Sequence, residues 1–183
     1  MKKLLVAVAV LSLLSLPVLA QDTPVAEVYG GYQLFHHPGD DSEGEDSFNL
    51  HGFLASGEYN LTSYLGAVGE IGYGQKTFEG ESDADKFITF LFGPRISYRT
   101  DNVRFFGHFL LGVGRWSCCT DYVESNYTHA IGGGIDIALN DSISVRPVQL
   151  DLVQIRWAEM DFPTEWFNHL RYSGGIDIKF GSK

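Results

Sequence analysis

The sequence predicts an all-β chain: an eight-stranded antiparallel up-and-down β-barrel that crosses a membrane. Three observations predict it. A secretory signal opens the chain, apolar and polar residues alternate with a period of two along eight segments, and the connections between segments run long, short, long, short, long, short, long. Transmembrane barrels have this asymmetry, with tight turns on the periplasmic side and longer loops outside. An odd number of connections in that order places both ends of the mature chain on the short-turn side.

The signal reads as Lys2-Lys3, an apolar run from Leu4 to Leu16, and Pro17-Val18-Leu19-Ala20 before Gln21. A basic start, an apolar middle and small residues at the cut predict cleavage after Ala20. Residues 1–20 are then a signal peptide and 21–183 one barrel domain. The apolar run is too short for a spanning helix, which needs about 20 residues.

The first three segments alternate weakly. Ala26, Val28, Gly30 and Tyr32 oppose Glu27, Tyr29, Gly31 and Gln33; Phe53, Ala55, Gly57 and Tyr59 oppose Leu54, Ser56 and Glu58; Leu65, Ala67, Gly69, Ile71 and Tyr73 oppose Gly66, Val68, Glu70 and Gly72. The fourth sets Ile88, Phe90, Phe92, Pro94, Ile96 and Tyr98 against Thr89, Leu91, Gly93, Arg95, Ser97 and Arg99. In the fifth, Val103, Phe105, Gly107, Phe109, Leu111 and Val113 face away from Arg104, Phe106, His108, Leu110, Gly112 and Gly114. Segment six carries Tyr127, His129, Ile131, Gly133, Ile135, Ile137 and Leu139 opposite Thr128, Ala130, Gly132, Gly134, Asp136 and Ala138. Segment seven changes phase: Ile143 and Val145 lead, but beyond Pro147 the apolar positions are Val148, Leu150 and Leu152. One extra residue does this, so a β-bulge is predicted near Pro147-Val148. The eighth alternates Leu170, Tyr172, Gly174, Ile176, Ile178 and Phe180 with Arg171, Ser173, Gly175, Asp177 and Lys179.

Tight turns are expected at Leu61-Thr62-Ser63, Thr100-Asp101-Asn102 and Asn140-Asp141-Ser142. Long connections are expected from about Phe35 to Ser47, Gln75 to Asp85, Ser117 to Ser125 and Ala158 to Phe167.

Alternation alone does not say which face points inward, and a soluble barrel would hide its apolar face around a ligand. Aromatic residues decide for the membrane. Tyr59, Tyr64, Tyr98 and Phe105 gather by the short turns, and Phe53, Tyr73, Phe87, Trp116, Tyr127 and Trp157 toward the loops, the pattern of two interfacial girdles. The polar face is also balanced. Glu27, Glu58, Glu70, Asp136, Asp151 and Asp177 meet Arg95, Arg99, Arg104, Arg146, Arg171 and Lys179, six of each sign. A narrow lumen requires such balance because an unpaired buried charge is costly. Glycines and small residues on that face leave room for the long side chains.

Without the signal the chain holds eleven basic against twenty-three acidic residues, a formal charge of −12. That excess argues against nucleic acid, whose phosphates require clustered Lys and Arg. The expected partners are membrane lipid and an extracellular ligand or protein at the loops, and the expected state is a monomer in the bacterial outer membrane. Cys118 and Cys119 are adjacent, so they cannot staple separated chain positions; a vicinal disulfide, free thiols and an intermolecular bridge are the three states open to them.

Gly-Gly-Ile-Asp-Ile occurs twice, at 133–137 and 174–178, on strands six and eight with strand seven between. Both copies run toward the short-turn end, which predicts an Asp136–Arg146–Asp177 cluster in the lumen with Arg104 close by. A second layer is expected to pair Glu70 with Arg95 and Asp151 with Arg171. This charge network reads as a plug that specifies the fold, with a gated ion path as the alternative, because an eight-strand interior is just wide enough to be filled by its own side chains.

By these residues the chain resembles the OmpA-type family of eight-stranded outer-membrane β-barrels, the outer membrane protein β-barrel domain group. The likeness rests on Gly174-Gly175-Ile176-Asp177-Ile178-Lys179-Phe180, on Phe92-Gly93-Pro94-Arg95-Ile96-Ser97-Tyr98, and on Gly132-Gly133-Gly134-Ile135-Asp136-Ile137 with Val145-Arg146-Pro147. Members often end on an aromatic residue, whereas Phe180 here is followed by Gly181-Ser182-Lys183. These motifs are architectural and imply a barrel, porin-like in its all-strand crossing, rather than a particular activity.

No catalytic, cofactor or metal site is assigned from the sequence. Asp40, Asp41, Glu43, Glu45 and Asp46, and Glu79, Glu81, Asp83 and Asp85, cluster in two connections but match no EF-hand spacing. A lipid-modifying enzyme would need a nucleophile within hydrogen-bond reach of a base. His36, His37, His51, His129 and His169 are the candidate bases, and Ser173 lies about 13 Å along the strand from His169, out of direct reach. His51 and His129 are expected near the outer interface and His108 in the lumen. The sequence therefore predicts a non-enzymatic barrel with a plugged lumen and a structural or surface-interaction role through acidic and aromatic loops. A narrow, low-conductance channel is second and a lipid-modifying enzyme third.

Overall fold

The computed structural model describes residues 23–39, 47–77, 84–118, 122–157 and 165–182. The predicted signal, the acidic stretches 40–46 and 78–83, Cys119 and the connection 158–164 lie outside the described residues. Eight strands follow in chain order: β1 (Ala26–His37), β2 (Phe48–Asn60), β3 (Leu65–Thr77), β4 (Ala84–Arg99), β5 (Val103–Cys118), β6 (Tyr122–Ala138), β7 (Ile143–Trp157) and β8 (Glu165–Phe180). Each pairs antiparallel with its sequence neighbour, and β1 pairs with β8 from Ala26↔Phe180 to His36↔Leu170, so the sheet closes with no free first or last strand. Closure is what a bilayer demands, since an open edge would leave backbone polar groups unpaired in hydrocarbon.

The tight turns fall where the residues can fold back on themselves. At the β6–β7 turn the amides of Ser142 and Ile143 donate to Asn140 Oδ1 at 2.9 and 2.8 Å. At β4–β5 the Val103 amide donates to Thr100 Oγ1 at 3.1 Å, and at β2–β3 the Leu65 amide donates to Thr62 Oγ1 at 3.0 Å. These short side chains imitate a turn of backbone, which is why they punctuate strands.

The apolar face points out and the polar face points in. Phe92, Tyr98, Ile96 and Leu150 are exposed on the outside, while Glu27, Arg95, Arg146, Asp151, Arg171 and Asp177 are buried. This is the inverse of a water-soluble barrel and the arrangement lipid requires. The bulge is present: register slips by one residue on β7 against both neighbours, between Ile135 and Ile137 of β6 and between Arg146 and Gln149 of β7 in its pairing with β8. It lets Ser144 and Arg146 below it, and Gln149 and Asp151 above it, all face the lumen despite their odd spacing.

Two expectations are corrected. The third connection is not a long loop, because β5 and β6 stay paired through Trp116↔Glu124 and Ser117↔Val123 up to Cys118↔Tyr122. At 16 and 17 residues these strands exceed the roughly 9–11 that cross a bilayer and continue outward, with β4 still paired to β5 as far as Lys86↔Ser117. The polar turn-like composition of 117–125 concealed this pairing. Phe87 and Trp116 also do not belong to the outer girdle. Phe87 is buried in the lumen and the partly buried Trp116 packs against it, rings 5.4 Å apart. Their positions are in phase with inward Thr89 and Gly114, so parity should have outweighed aromatic character. Tyr59, Tyr98, Phe105, Phe53 and Tyr127 do face outward.

Candidate functional site

Among the described residues, chemically active side chains converge in the interior, which is built from every strand. Nearest the short turns, Glu27 of β1 accepts from Arg99 Nη2 and Arg104 Nη1, both at 2.5 Å, and from Asn60 Nδ2 at 2.7 Å. Beside it Arg146 grips Asp136 with two parallel donors, Nε to Oδ1 at 2.6 Å and Nη2 to Oδ2 at 3.1 Å. Bidentate geometry of this kind is the strong form of an Arg–carboxylate pair. Arg146 Nη2 lies 3.7 Å from Asp177 and Arg104 Nη1 3.6 Å from Asp136. The structure thus brings Asp136, Arg146 and Asp177 together with Arg104 alongside.

Above this group Glu58 Oε2 accepts from Arg95 Nη1 at 3.0 Å and from Arg104 Nη2. Arg95 Nη2 meets His108 Nδ1 at 3.1 Å, and His108 Nε2 meets Asp151 Oδ1 at 2.8 Å. A guanidinium has no acceptor, so His108 accepts at Nδ1 and donates from Nε2; the two contacts fix its tautomer. Asp151 also accepts from Arg171 Nη2 at 2.7 Å and from Gln149 Nε2 at 2.9 Å, and Arg171 bonds Glu70 as well.

The expected Glu70–Arg95 pair is not formed. Glu70 of β3 reaches across the lumen to Arg171 of β8, and Arg95 turns to Glu58 of β2. Strand adjacency pairs Asp136 with Arg146 and Asp151 with Arg171, but Glu70 and Arg95 find partners beyond their neighbouring strands, because long side chains in a narrow tube reach across the lumen. Lys179 lines a cavity of about 720 Å³ at the short-turn mouth, together with Arg99, Arg104, Asp136 and Ser144.

Other luminal residues were missed by reading charges alone. Phe106 sits amid three guanidiniums, those of Arg95, Arg146 and Arg104 at 4.3, 4.4 and 5.4 Å from its ring centre. Tyr29 covers the other flank of Arg146 at 4.1 Å. A ring face attracts a desolvated cation, and both residues stood on the polar face in the sequence, which was the available signal. Gln149 bridges Arg146, Asp151 and Glu70.

Toward the loops the lining changes character. Phe35, Leu50, Val68, Phe87, Leu91, Leu110, Ala130, Val153 and Ile155 form a buried apolar cluster inside the barrel, with Phe48 and Trp116 packed on it. Phe35, Leu50, Phe87, Val153 and Ile155 come from the loop-ward parts of their strands. Among the described residues the lumen lining thus has two parts, an ionic lattice and, toward the loops, an apolar cluster.

Carboxylate oxygens of Glu27, Asp136 and Asp177 come within 4.8 Å of one another. Arg99, Arg104 and Arg146 already neutralise them, so the trio reads as part of the lattice. Ser173 faces the lumen, and His169 meets His37 rather than a hydroxyl.

An eight-stranded barrel with an apolar exterior and a charged interior defines the class: an outer-membrane β-barrel that crosses lipid with strands. The sequence matches the outer membrane protein beta-barrel domain over residues 6–152, and the chain belongs to that family. Such barrels reside in the Gram-negative outer membrane, and this one does too. Among curated proteins no sequence match is found. Among solved structures the chain is similar to Ail, the attachment invasion locus protein of Yersinia pestis, at 18% identity over 86% of this chain and 99% of that one, with TM-score 0.58. It is similar to Neisserial surface protein A, at 12% identity, 85% and 97% coverage and TM-score 0.68. OprG of Pseudomonas aeruginosa shows 10% identity, 87% and 97% coverage and TM-score 0.59. At these identities the likeness is one of fold.

Proposed function

We propose that the chain is a non-enzymatic outer-membrane barrel with a plugged lumen, acting in envelope structure or in surface interaction through its loops. The observation that carries this reading is the double filling of the interior. Arg146, Arg171 and Arg95 are 0–1% exposed in a lattice of carboxylates, and an apolar cluster lies over them. An ion would have to break several buried pairs and then cross a dry apolar layer, each of which costs several kcal/mol.

The test is conductance across a planar bilayer. The folded wild-type chain is expected to insert without steady current, and Arg146→Ala is expected to stay silent as long as the apolar cluster is intact. A fixed, ion-selective wild-type current that changes with Arg146→Ala would replace the plug by a channel.

A loop partner is the interaction half of the proposal. Ail has been solved with the heparin analogue sucrose octasulfate, a polyanion. The connections β1–β2 and β3–β4 carry eight Asp and Glu between them, so charge favours a cationic partner over a sulfated sugar. Trp166 is exposed on the outer wall, edge-on to His129 at 5.2 Å and Tyr127 at 6.2 Å. That placement supports a role at the lipid interface for this ring. Grafting the four loops onto a silent barrel should carry any partner binding with them.

A further inference from the structure

The sequence holds an adjacent pair, His36-His37, that the plugged barrel does not use. Strand alternation separates the two. His36 Nδ1 donates to Asn49 Oδ1 at 2.8 Å on the outer face, whereas His37 turns inward. Continuing the β1–β8 register one step beyond His36↔Leu170 sets His37 opposite His169. Their ring nitrogens, His37 Nδ1 and His169 Nε2, lie 3.0 Å apart.

We propose that His37 and His169 form a binding site for a divalent transition metal of the zinc class, which ties β1 to β8 at the loop-side mouth of the lumen. The first argument is distance. Two imidazole nitrogens each about 2.0–2.1 Å from one ion stand roughly 2.9–3.4 Å apart for bond angles between octahedral and tetrahedral, and the observed gap needs little or no opening. The second is preorganisation. Phe35 stacks on His169 with centres 4.8 Å apart and planes at 28°, and Phe48 stacks on His37 at 4.7 Å and 28°. Both rings are thus clamped before any ion arrives, so little side-chain entropy is lost on binding. The third is access from one side: His169 is buried at 4% exposure, His37 is half-buried, and the apolar cluster lies beneath them. Water completes the coordination.

The proton count is simple. In the metal-free pair one ring holds the hydrogen shared between the two nitrogens. On binding, that hydrogen moves to the same ring's other nitrogen and both lone pairs face the ion. Imidazole nitrogen suits zinc, nickel, copper and cobalt, and it disfavours calcium and magnesium, which require oxygen ligands. The site holds its ion above a closed lumen, so it is a clasp on the barrel seam rather than an entrance.

The experiment uses the mature chain without an affinity tag, refolded in detergent and checked by its heat-modifiable mobility. Co²⁺ alone is titrated for visible ligand-field bands, and Zn²⁺ alone for a rise in thermal transition temperature. The wild type should show both. His37→Gln and His169→Gln, each confirmed folded, should bind Co²⁺ at least about tenfold more weakly and lose the Zn²⁺-dependent rise, while His36→Gln and His51→Gln behave as wild type. Absence of bands in the folded wild type would overturn the proposal. So would bands of undiminished affinity in the His37 and His169 variants, which would place the ion elsewhere.

Discussion

Arg171 shows what a single buried residue does in this interior. Its guanidinium holds Glu70 of β3 and Asp151 of β7 at once, and all three are almost completely buried. Arg171→Ala leaves two carboxylates facing each other without a cation, and removing one partner of a buried pair costs about 3–5 kcal/mol. Urea unfolding in lipid vesicles should register that loss. Arg171→Met together with Glu70→Gln removes a charge of each sign and should recover part of it, because paired removal is far milder than orphaning. Phe106 makes a second residue-scale case: Phe106→Leu keeps volume near the centre but removes the ring between Arg95 and Arg146. It should lower stability by about 1–2 kcal/mol in the same assay, since desolvated cation–π contacts are worth that much.

Among the elements, β7 and the β1–β8 seam carry the most specific demands. Deleting Val148 removes the extra residue and shifts either Arg146 and Ser144 or Gln149 and Asp151 onto the lipid face. The deletion is expected to abolish the heat-modifiable folded band, whereas Pro147→Ala, which keeps the residue count, should fold. At the seam, a Cβ on Gly175 would lie 2.3 Å from the Gly30 carbonyl oxygen and 2.4 Å from Gly31 Cα. Gly175→Val should therefore cost about 1–3 kcal/mol as overpacking, seen as a lower urea midpoint. These elements also show how far the sequence could be read. Strand faces, tight turns and the bulge were legible because side-chain parity is a local property, visible in ten residues at a time. Glu70 with Arg171, and Glu27 with Arg99 and Arg104, were not legible as pairs, because they join strands that meet only across the closed tube. Phe87 and Trp116 were misassigned for a different reason: their parity was readable, but their aromatic rings suggested a girdle. The buried apolar cluster was likewise written in Leu50, Leu91, Leu110 and Val153, each in phase with the polar face.

At the scale of the whole molecule, an exposed wall of Phe92, Ile96, Leu150 and Ile176 around a charged interior means that water cannot be the native solvent. Removed from detergent, the mature chain should aggregate; a water-soluble monomer by sedimentation would contradict the membrane assignment. The carboxylate of Glu27 lies on the first strand, yet its cations Arg99 and Arg104 come from the fourth and fifth, 72 and 77 residues onward, and its backbone pairs with Lys179 on the last. Until β8 arrives, the half-built sheet has nowhere dry to hide these charges and no wall against which to neutralise them all. Each successive strand adds polar cost to an open sheet in lipid, and the cost is withdrawn only when the ends meet. Insertion of this barrel is thus expected to be concerted, with ring closure and ion pairing as one event: a chain truncated before Glu165 should stall at the membrane surface rather than enter as a smaller sheet.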